Sequence, residues 1–581
     1  MRYLWKFYDH EPETVEKLSR QLGVSLLTAK CLFNRGYRTS KEAEEFLNPF
    51  LRNLSDPFLI PDIEIAVERL IRAKDKGEAI TIFGDYDVDG ITATAILSDF
   101  FCTLGWNYQG SYLPLRMEEG YGLSDDGVRH CLRKYPKTQL LLAVDCGSTS
   151  SLAINQIQKS GVEVIVLDHH QIDPHDTPTP KALVNPRNLP PGEQPSDKLL
   201  DLQNLCSAGL AFKLAHAILK YARQKGHSWG NSFDLKSILD LVAMGTIADL
   251  VKLQGENRIL VSHGLNRITN TQRTGLRELV RISQRKTISV HDVSFYLAPR
   301  LNAAGRLEDA QIALKLLTTT NPETGAHLAK QLDSVNLERK GIQNRIVEEV
   351  VERVKRNFNP EKDFIIVEEN FEWHLGIIGI AAAQVVKLFR RPVIILGGNG
   401  QNWRGSCRSI EGFDMAAALC QCEELLLNHG GHSMAAGVEV ELNKLEPFRT
   451  KINKVAREWL ENKVFKPTLQ IEAEIHLKDI LPENFIELQR LSPFGMGNPL
   501  LIFSARNVHQ VRPSRKFGQL QRHLKLFLSD SPGIVFESVI WNFEEEIPLN
   551  ARFDIAFEPT LDCFNGQNIV RLRLVDWNIY L

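Results

Sequence analysis

The sequence predicts an α/β protein in three parts: a parallel-sheet domain, a smaller α/β domain reached through a long helix, and a C-terminal β-barrel. Three observations carry this reading. Short continuous apolar runs at Ala79–Phe83, Leu140–Val144 and Val162–Leu167 alternate with helical patterns at 91–101, 125–132 and 152–159. Strands buried on both faces and separated by helices belong to a parallel sheet. Residues 323–358 form a charged stretch in which Leu328, Leu332, Val335, Ile342, Ile346, Val350 and Val354 recur at three-, four- or seven-residue spacings, the pattern of a two-faced connecting helix. From about 468 onward, short alternating runs are separated by Pro, Gly and Asn turns, as in a small barrel.

Taken in order, residues 1–60 read as short helices, with apolar spacing from Leu22 to Phe33 and from Lys41 to Phe46, expected to pack on the parallel-sheet domain that follows. That domain spans 61–322. Within it, Asp173 to Asp197 carries seven prolines and reads as a loop. The connecting helix spans 323–358, with two helices broken at Gly341 as the alternative. The second α/β domain spans 359–463, with strands at Phe364–Val367 and Val393–Leu396 flanking a helix at 377–390. Val464-Phe465-Lys466-Pro467 reads as a linker before the barrel at 468–581.

Composition excludes several classes. The chain has 581 residues, 43% of them hydrophobic, enough for several buried cores and too many for wholesale disorder. The 69 Lys and Arg balance 71 Asp and Glu to a formal charge of -2, so any nucleic-acid surface must be local. Nine cysteines without a C-x-x-C pair argue against a disulfide framework or zinc ribbon and for a reducing cytoplasm. The charged start carries no signal-peptide pattern, and no apolar run is long enough to span a membrane.

Gly84-Asp85-Tyr86-Asp87-Val88-Asp89-Gly90 follows the first buried strand and opens a helix. Three carboxylates within five residues repel at neutral pH unless a cation compensates, and oxygen-rich sites suit Mg²⁺ or Mn²⁺. An acidic solvated turn is the bland alternative; an EF-hand is excluded by its missing ligands. Two more apolar strands end in Asp145 and in Asp168-His169-His170, and ligands of open parallel sheets gather at the carboxyl ends of strands. The apolar segment 241–248 ends in Asp249, a fourth source of carboxylate.

The order Asp87/Asp89, Asp145, Asp168-His169-His170, Asp249 resembles the DHH phosphoesterase superfamily. The second domain is similar to the associated DHHA1 pattern through His374–Gly379, Gly405-Ser406-Cys407-Arg408-Ser409 and Gly430-Gly431-His432. Pro299–Arg306 and Pro493–Pro499 resemble the branch of the superfamily that degrades single-stranded DNA and carries an oligonucleotide-binding (OB) barrel. Positions 146–150 and the long connection 171–206 depart from the pattern without removing a ligand, and a further C-terminal domain found in some relatives is expected to be absent.

The resemblance implies a 5′-to-3′ exonuclease on single-stranded DNA, using two Mn²⁺ or Mg²⁺ ions and releasing mononucleotides in repair and recombination. It implies a single-strand-binding protein and a helicase as partners, and no membrane. The implied metal ligands are Asp87, Asp89, Asp145, His169 and Asp249. Asp85 is counted with them, either touching an ion or supporting a residue that does. Asp168 would orient the histidines, and His170 would face the scissile phosphate. Asp145, alone on the middle strand, is the candidate bridge between two ions. Arg116, Ser406 and Arg408 are candidates for a terminal phosphate, with Gly430, Gly431 and His432 allowing close backbone approach. Arg300, Asn302 and Arg306 are candidates for the strand path. Residues 505–525 carry six Lys or Arg and no acid, with Phe517 and His523 interleaved; Arg512, Arg515, Lys516 and Arg522 would grip a single strand. Relatives that cleave short oligonucleotides, RNA or cyclic dinucleotides, and a non-catalytic scaffold, are the competing readings.

Overall fold

The computed structural model describes the whole chain except Met1, Arg2, Tyr121, Pro191, Asn399, 462–465, Leu481, Gln519, 544–546, Pro548, Asn550, 565–566 and Leu581. Val464 and Phe465 of the expected linker, and Tyr121 in the loop after Arg116, therefore lie outside the described residues. The chain forms two units: 56–249 with 263–465, and 1–55 with 250–262 and 466–581.

In the first unit a five-stranded sheet runs Tyr108–Tyr112, Ile80–Phe83, Leu140–Val144, Glu163–Leu167, Ala182–Val184, with every neighbouring pair parallel. Counted along the chain this is the order 2-1-3-4-5. It reverses between Ile80–Phe83 and Leu140–Val144, and ligands of such sheets bind at that switch point. The strand Ile80–Phe83 is wholly buried. The helix after it, Val88–Thr103, is apolar nearly all round because it is covered on several sides, in part by helices Ser207–Gln224 and Leu239–Ala248. Close approach is built in at Gly245: a Cβ there would lie 2.5 Å from Thr92 Oγ1, 2.6 Å from the Ala208 Cβ and 2.8 Å from Asp89 Oδ1.

The connecting helix is continuous from Pro322 to Asn357, started by Asn321, whose side chain accepts from the Thr324 backbone N–H at 2.9 Å. Gly341 does not break it. Buried residues anchor both halves, Leu328, Leu332 and Val335 before it and Ile346, Val350 and Val354 after it. The helix leads to a sheet ordered Asn428–Gly431, Ala435–Glu441, Asn402–Arg408, Val393–Gly398, Ile366–Asn370, antiparallel except for the last pair.

In the second unit, strands Phe503–Phe517, His523–Ser531, Ile534–Ile540, Gln567–Tyr580 and Arg552–Phe564 close on one another as a five-stranded barrel. The expected placement of residues 1–60 on the catalytic domain is corrected for 3–55, which share one hydrophobic core with the barrel through Leu18, Leu32, Phe33 and Phe46. The strand Leu4–Phe7 pairs in parallel with Thr468–Ile471. Arg35 makes a buried ion pair with Glu472 at 2.8 Å. The fully buried Arg258 donates to the carbonyls of Phe46, Arg490, Leu491 and Ser492. The helical pattern read from Leu22 to Phe33 is two helices, Pro12–Leu22 and Leu26–Asn34, because Gly23 takes a left-handed conformation (φ 63°) and ends the first.

Gly245→Ala should push the helix 239–248 off the Asp89 helix. Overpacking of this kind costs about 1–3 kcal/mol, and a lowered urea midpoint would report it. An unchanged midpoint would show slack at this contact.

Candidate metal centre and phosphate-facing arginines

Three strand ends and three helix ends build the centre. Asp87 caps the helix 88–103, its Oδ1 accepting from the backbone N–H groups of Asp89 (2.8 Å) and Gly90 (3.1 Å). The side chain of Asn302 accepts from Val88 N–H at 3.1 Å and fixes the same turn. Asp145 follows its strand in a left-handed conformation (φ 63°), which costs a non-glycine residue energy and persists where surroundings over-determine it. Its backbone N–H donates to Leu167 at 3.0 Å. The helix 207–224 supplies the other constraint. Its first two backbone N–H groups donate to Asp89 at 2.6 and 2.9 Å, and the Ser207 hydroxyl donates to Asp145 Oδ1 at 2.9 Å. Helix N-termini favour anions, so this end turns Asp89 and Asp145 toward a common point.

His169 Nε2 stands 3.5 Å from Asp145, 3.7 Å from Asp249 and 3.9 Å from Asp89, longer than ordinary hydrogen bonds. Ligand atoms of Asp85, Asp87 and Asp145 lie within 4.8 Å of one another, as do those of Asp89, His169 and Asp249, and those of Asp145, His169 and His170. Asp145 thus belongs to two of three donor groups. Asp168 faces away: it accepts from the backbone N–H groups of Ser148 and His169 and pairs with His170 Nδ1 at 2.7 Å.

Burial, then the neighbouring carboxylates, pushes Asp85 and Asp145 well above the carboxylate range, Asp89 up to about 6 and Asp249 up to about 8. Asp168 goes the other way: burial opposes it, but the hydrogen bond and charge of His170 hold it well below its usual range. His169 falls to about 4 through burial and the charge of His170, leaving the neutral imidazole that binds metals. His170 rises to about 9, Asp168 outweighing burial, so it is charged at neutral pH. Asp85 Oδ1 is buried and lacks a hydrogen-bond partner. An orphaned carboxylate oxygen among acids and one neutral imidazole fits a divalent cation such as Mn²⁺ or Mg²⁺.

Beside this centre lie arginines. Arg306 donates to the Gly376 carbonyl at 3.1 Å, and burial, together with the charges of Arg116, Arg339 and Arg408, lowers its guanidinium to about 10. Arg116 lies 5.0 Å from the centroid of the Tyr86 ring. Arg408 donates to Ser406 Oγ at 3.0 Å. Ser406, Gly437 and Gly430 are side by side across three strands, and a Cβ at Gly430 would meet only open space, so the floor beside Arg408 is bare backbone. Gly431 serves the hairpin: its φ of 138° and a Cβ 2.5 Å from the Ala435 carbonyl exclude a side chain, and His432 N–H donates to the same carbonyl. Arg300 is tied to Asp333 at 2.8 Å and to the Tyr296 carbonyl.

In the barrel, register divides the basic stretch. Arg512, Arg515 and Phe517 oppose Phe527, Lys525 and His523, whereas Lys516 opposes the buried Leu524. Arg512 and Arg515 sit over the Phe527 ring, and Phe517, His523 and Trp541 form an edge-to-face row with centroids 4.6–5.6 Å apart. Arg506 and Lys525 are neutralised by Glu474 and Glu537. Arg522 lies in the turn between these strands.

Comparison with known proteins follows the same division. Residues 79–246 match the DHH family N-terminal domain, 362–458 the DHHA1 domain and 471–576 the RecJ OB domain. The single-stranded-DNA-specific exonuclease RecJ of Bacillus subtilis is 32% identical over 579 residues, 98% of this chain and 70% of that protein. The chain belongs to the RecJ family. RecJ of Escherichia coli is 32% identical over 568 residues, 94% of each chain. The crystal structure of Thermus thermophilus RecJ in complex with Mn²⁺ superimposes with a TM-score of 0.82 at 28% identity, covering 99% of this chain and 80% of that one. The Mg²⁺ complex gives 0.75 at 27%, covering 99% and 78%.

Within this RecJ-family centre several residues were not legible as functional. Ser207 needs the helix start to be known. Asn185 donates to the His170 carbonyl at 2.9 Å and to Ser148 Oγ at 3.0 Å, and Arg187 to the His169 carbonyl at 3.2 Å; both lie in the segment read as a proline-rich loop. Arg339 reads as one more charge on a long helix.

The raised carboxylates hold protons that a cation must displace, and His169 at about 4 does not compete. Mn²⁺ affinity should therefore climb as pH rises from about 6 to about 8, with proton release on binding. Titration calorimetry in buffers of different ionisation enthalpy checks this. A pH-independent affinity without proton release would contradict it.

Proposed function

We propose that this chain is a metal-dependent exonuclease that hydrolyses single-stranded DNA from its 5′ end and releases mononucleotides. The observation that carries the reading is the juxtaposition of two donor groups, Asp85–Asp87–Asp145 and Asp89–His169–Asp249, with His169 3.5 Å from Asp145, beside a cluster of arginines. What supports the substrate is membership of a family whose curated members are named single-stranded-DNA-specific exonucleases.

Asp85, Asp87, Asp89, Asp145, His169 and Asp249 would hold Mn²⁺ or Mg²⁺, with Asp145 common to two ions. Bound ions of this class lower the pKa of water and neutralise charge on a reacting phosphate. The protein's own residues do the rest. Asp168 keeps His170 charged and oriented through Nδ1, so that Nε2 would donate to a phosphoryl oxygen as negative charge develops. Ser207 and the N-terminus of its helix fix the carboxylates before substrate arrives. Arg306 feels the charges of Arg116, Arg339 and Arg408, and Arg408 that of Arg116, which an anionic end group would relieve; we assign the 5′-phosphate to Arg116, Ser406 and Arg408. Arg306 would sit on the strand path, whereas the ion pair of Arg300 and the turn contact of Asn302 make those two structural supports in this reading. In the barrel, Arg512 and Arg515 with the Phe517–His523–Trp541 row would meet a single strand.

The domain limits proposed are 61–322, 323–358, 359–463 and 468–581. The proposed setting is the cytoplasm, with a single-strand-binding protein and a helicase as partners; family membership supports it. No helix among the described residues is long and apolar enough to cross a membrane.

The test is digestion, with Mn²⁺, of single strands carrying a labelled 5′-phosphate, against duplex and RNA. Label should leave as mononucleotide from single-stranded DNA first. Asp145→Asn should cut turnover about a thousandfold, several kcal/mol of lost transition-state stabilisation. Arg408→Ala should reduce the preference for 5′-phosphate over 5′-hydroxyl roughly tenfold. Release from the 3′ end, or a tenth of wild-type turnover in Asp145→Asn, would overturn the reading.

A further inference from the structure

The barrel contains a cavity of 370 Å³ lined by Gln510, Pro513, Ser514, Lys516, Leu524, Ile547 and Leu549. That volume lies within the roughly 300–1,000 Å³ of small-ligand sites. Register explains how it forms. Opposite residues of an antiparallel pair put their side chains on one face, and Gln510 opposes Leu528 as Lys516 opposes Leu524. Leu524, Leu526 and Leu528 are the buried side of their strand. Gln510 and Lys516 therefore project toward the barrel's interior side, while Arg512, Arg515 and Phe517 project outward.

Gln510 is 4% exposed, and neither its Nε2 nor its Oε1 has a hydrogen-bond partner. Buried polar groups are paired almost without exception in native structures, and an amide left with both donor and acceptor unmade is costly. Ser504 and Ser538 in the same domain also carry unpartnered hydroxyls, but neither lines the cavity. Of these unpartnered side chains, Gln510 is the one that lines the cavity.

We infer that this cavity takes one nucleobase of a bound single strand, with Gln510 reading the base edge and Lys516 holding the adjoining phosphate. The chemistry of the walls selects that ligand. A side-chain amide presents a donor and an acceptor side by side, and so does the edge of a base; the two pair bidentately. Leu524, Ile547, Leu549 and Pro513 offer apolar surface to the faces of a flat ring. Lys516, exposed at the rim, offers a cation to the phosphate that any base brings with it. Single-strand recognition elsewhere uses splayed bases paired along their edges in this manner. The inference rests on the reading that the barrel binds single strands, and it adds that the barrel senses bases as well as backbone.

The experiment measures binding of labelled 20-mers to the full chain in chelator, where hydrolysis is blocked, using oligo(dA), oligo(dC), oligo(dT) and an abasic strand. Wild type should bind the best homopolymer more tightly than the abasic strand. Gln510→Leu, which fills the same space without unmade hydrogen bonds, should lose roughly tenfold or more on that homopolymer and almost nothing on the abasic strand. Its thermal midpoint should match or exceed that of wild type, which separates loss of recognition from loss of fold. Identical affinity ratios for wild type and Gln510→Leu across all strands would overturn the inference and leave a water-filled cavity. The parent reading fails separately: if Arg512→Ala/Arg515→Ala leaves the salt dependence of binding to every strand unchanged, the barrel does not hold DNA at all.

Discussion

Carboxylates crowded at the switch point of a parallel sheet are the constraint on which the rest of this structure depends. Asp85, Asp89 and Asp145 are almost completely buried, and Asp249 is brought to the same place. In a dry site such groups cannot all be ionised without compensation, which is why their proton affinities are pushed up together. A fold that only needed stability would not assemble them. Each feature around them serves to hold them against that repulsion: the helix N-terminus on Asp89, the Ser207 hydroxyl on Asp145, the left-handed backbone at Asp145, and the close approach at Gly245.

The same logic separates the two histidines. Both follow Asp168 in sequence, yet Asp168 bonds only one imidazole, so His170 is held charged while His169 is held neutral among the other acids. One position then suits a metal ligand and the other a donor to a phosphate. Beside the centre the charge reverses, with Arg116, Arg306, Arg339 and Arg408 near one another and without an ion pair among the described residues. An anionic substrate end lying between acids with their cations and a cluster of guanidiniums satisfies both halves.

How much of this was legible in the sequence depended on what kind of signal each residue carries. Acids at the ends of apolar strands are conspicuous, and the structure brings Asp87, Asp89, Asp145, His169 and Asp249, the set implied by the resemblance, into neighbouring donor groups. The two outer strands of the first sheet carry weaker signals. Tyr108–Tyr112 is only half-buried and has no apolar run, and Ala182–Val184 is three residues long inside a proline-rich stretch. Ser207, Asn185 and Arg339 act through positions that only tertiary structure defines. The N-terminal helices were placed on the wrong neighbour because an amphipathic face shows that it is buried without naming its partner. In the barrel, composition revealed a basic run but not that strand alternation sends Lys516 and Arg515 to different faces.

The central claim is that uncompensated carboxylate repulsion is stored in this centre and relieved by a divalent cation. Each raised carboxylate has a folded pKa above its unfolded value, so the metal-free protein should lose stability as pH rises from about 4, where unfolded carboxylates ionise, through about 6 for Asp89 and about 8 for Asp249. The most direct measurement is thermal unfolding of wild type and Asp145→Asn at pH 8, in chelator and in Mn²⁺. Removing one charge should raise the metal-free unfolding temperature above that of wild type and abolish most of the rise that Mn²⁺ gives the wild type. A variant that is less stable without metal yet keeps the full Mn²⁺ increment would contradict the account.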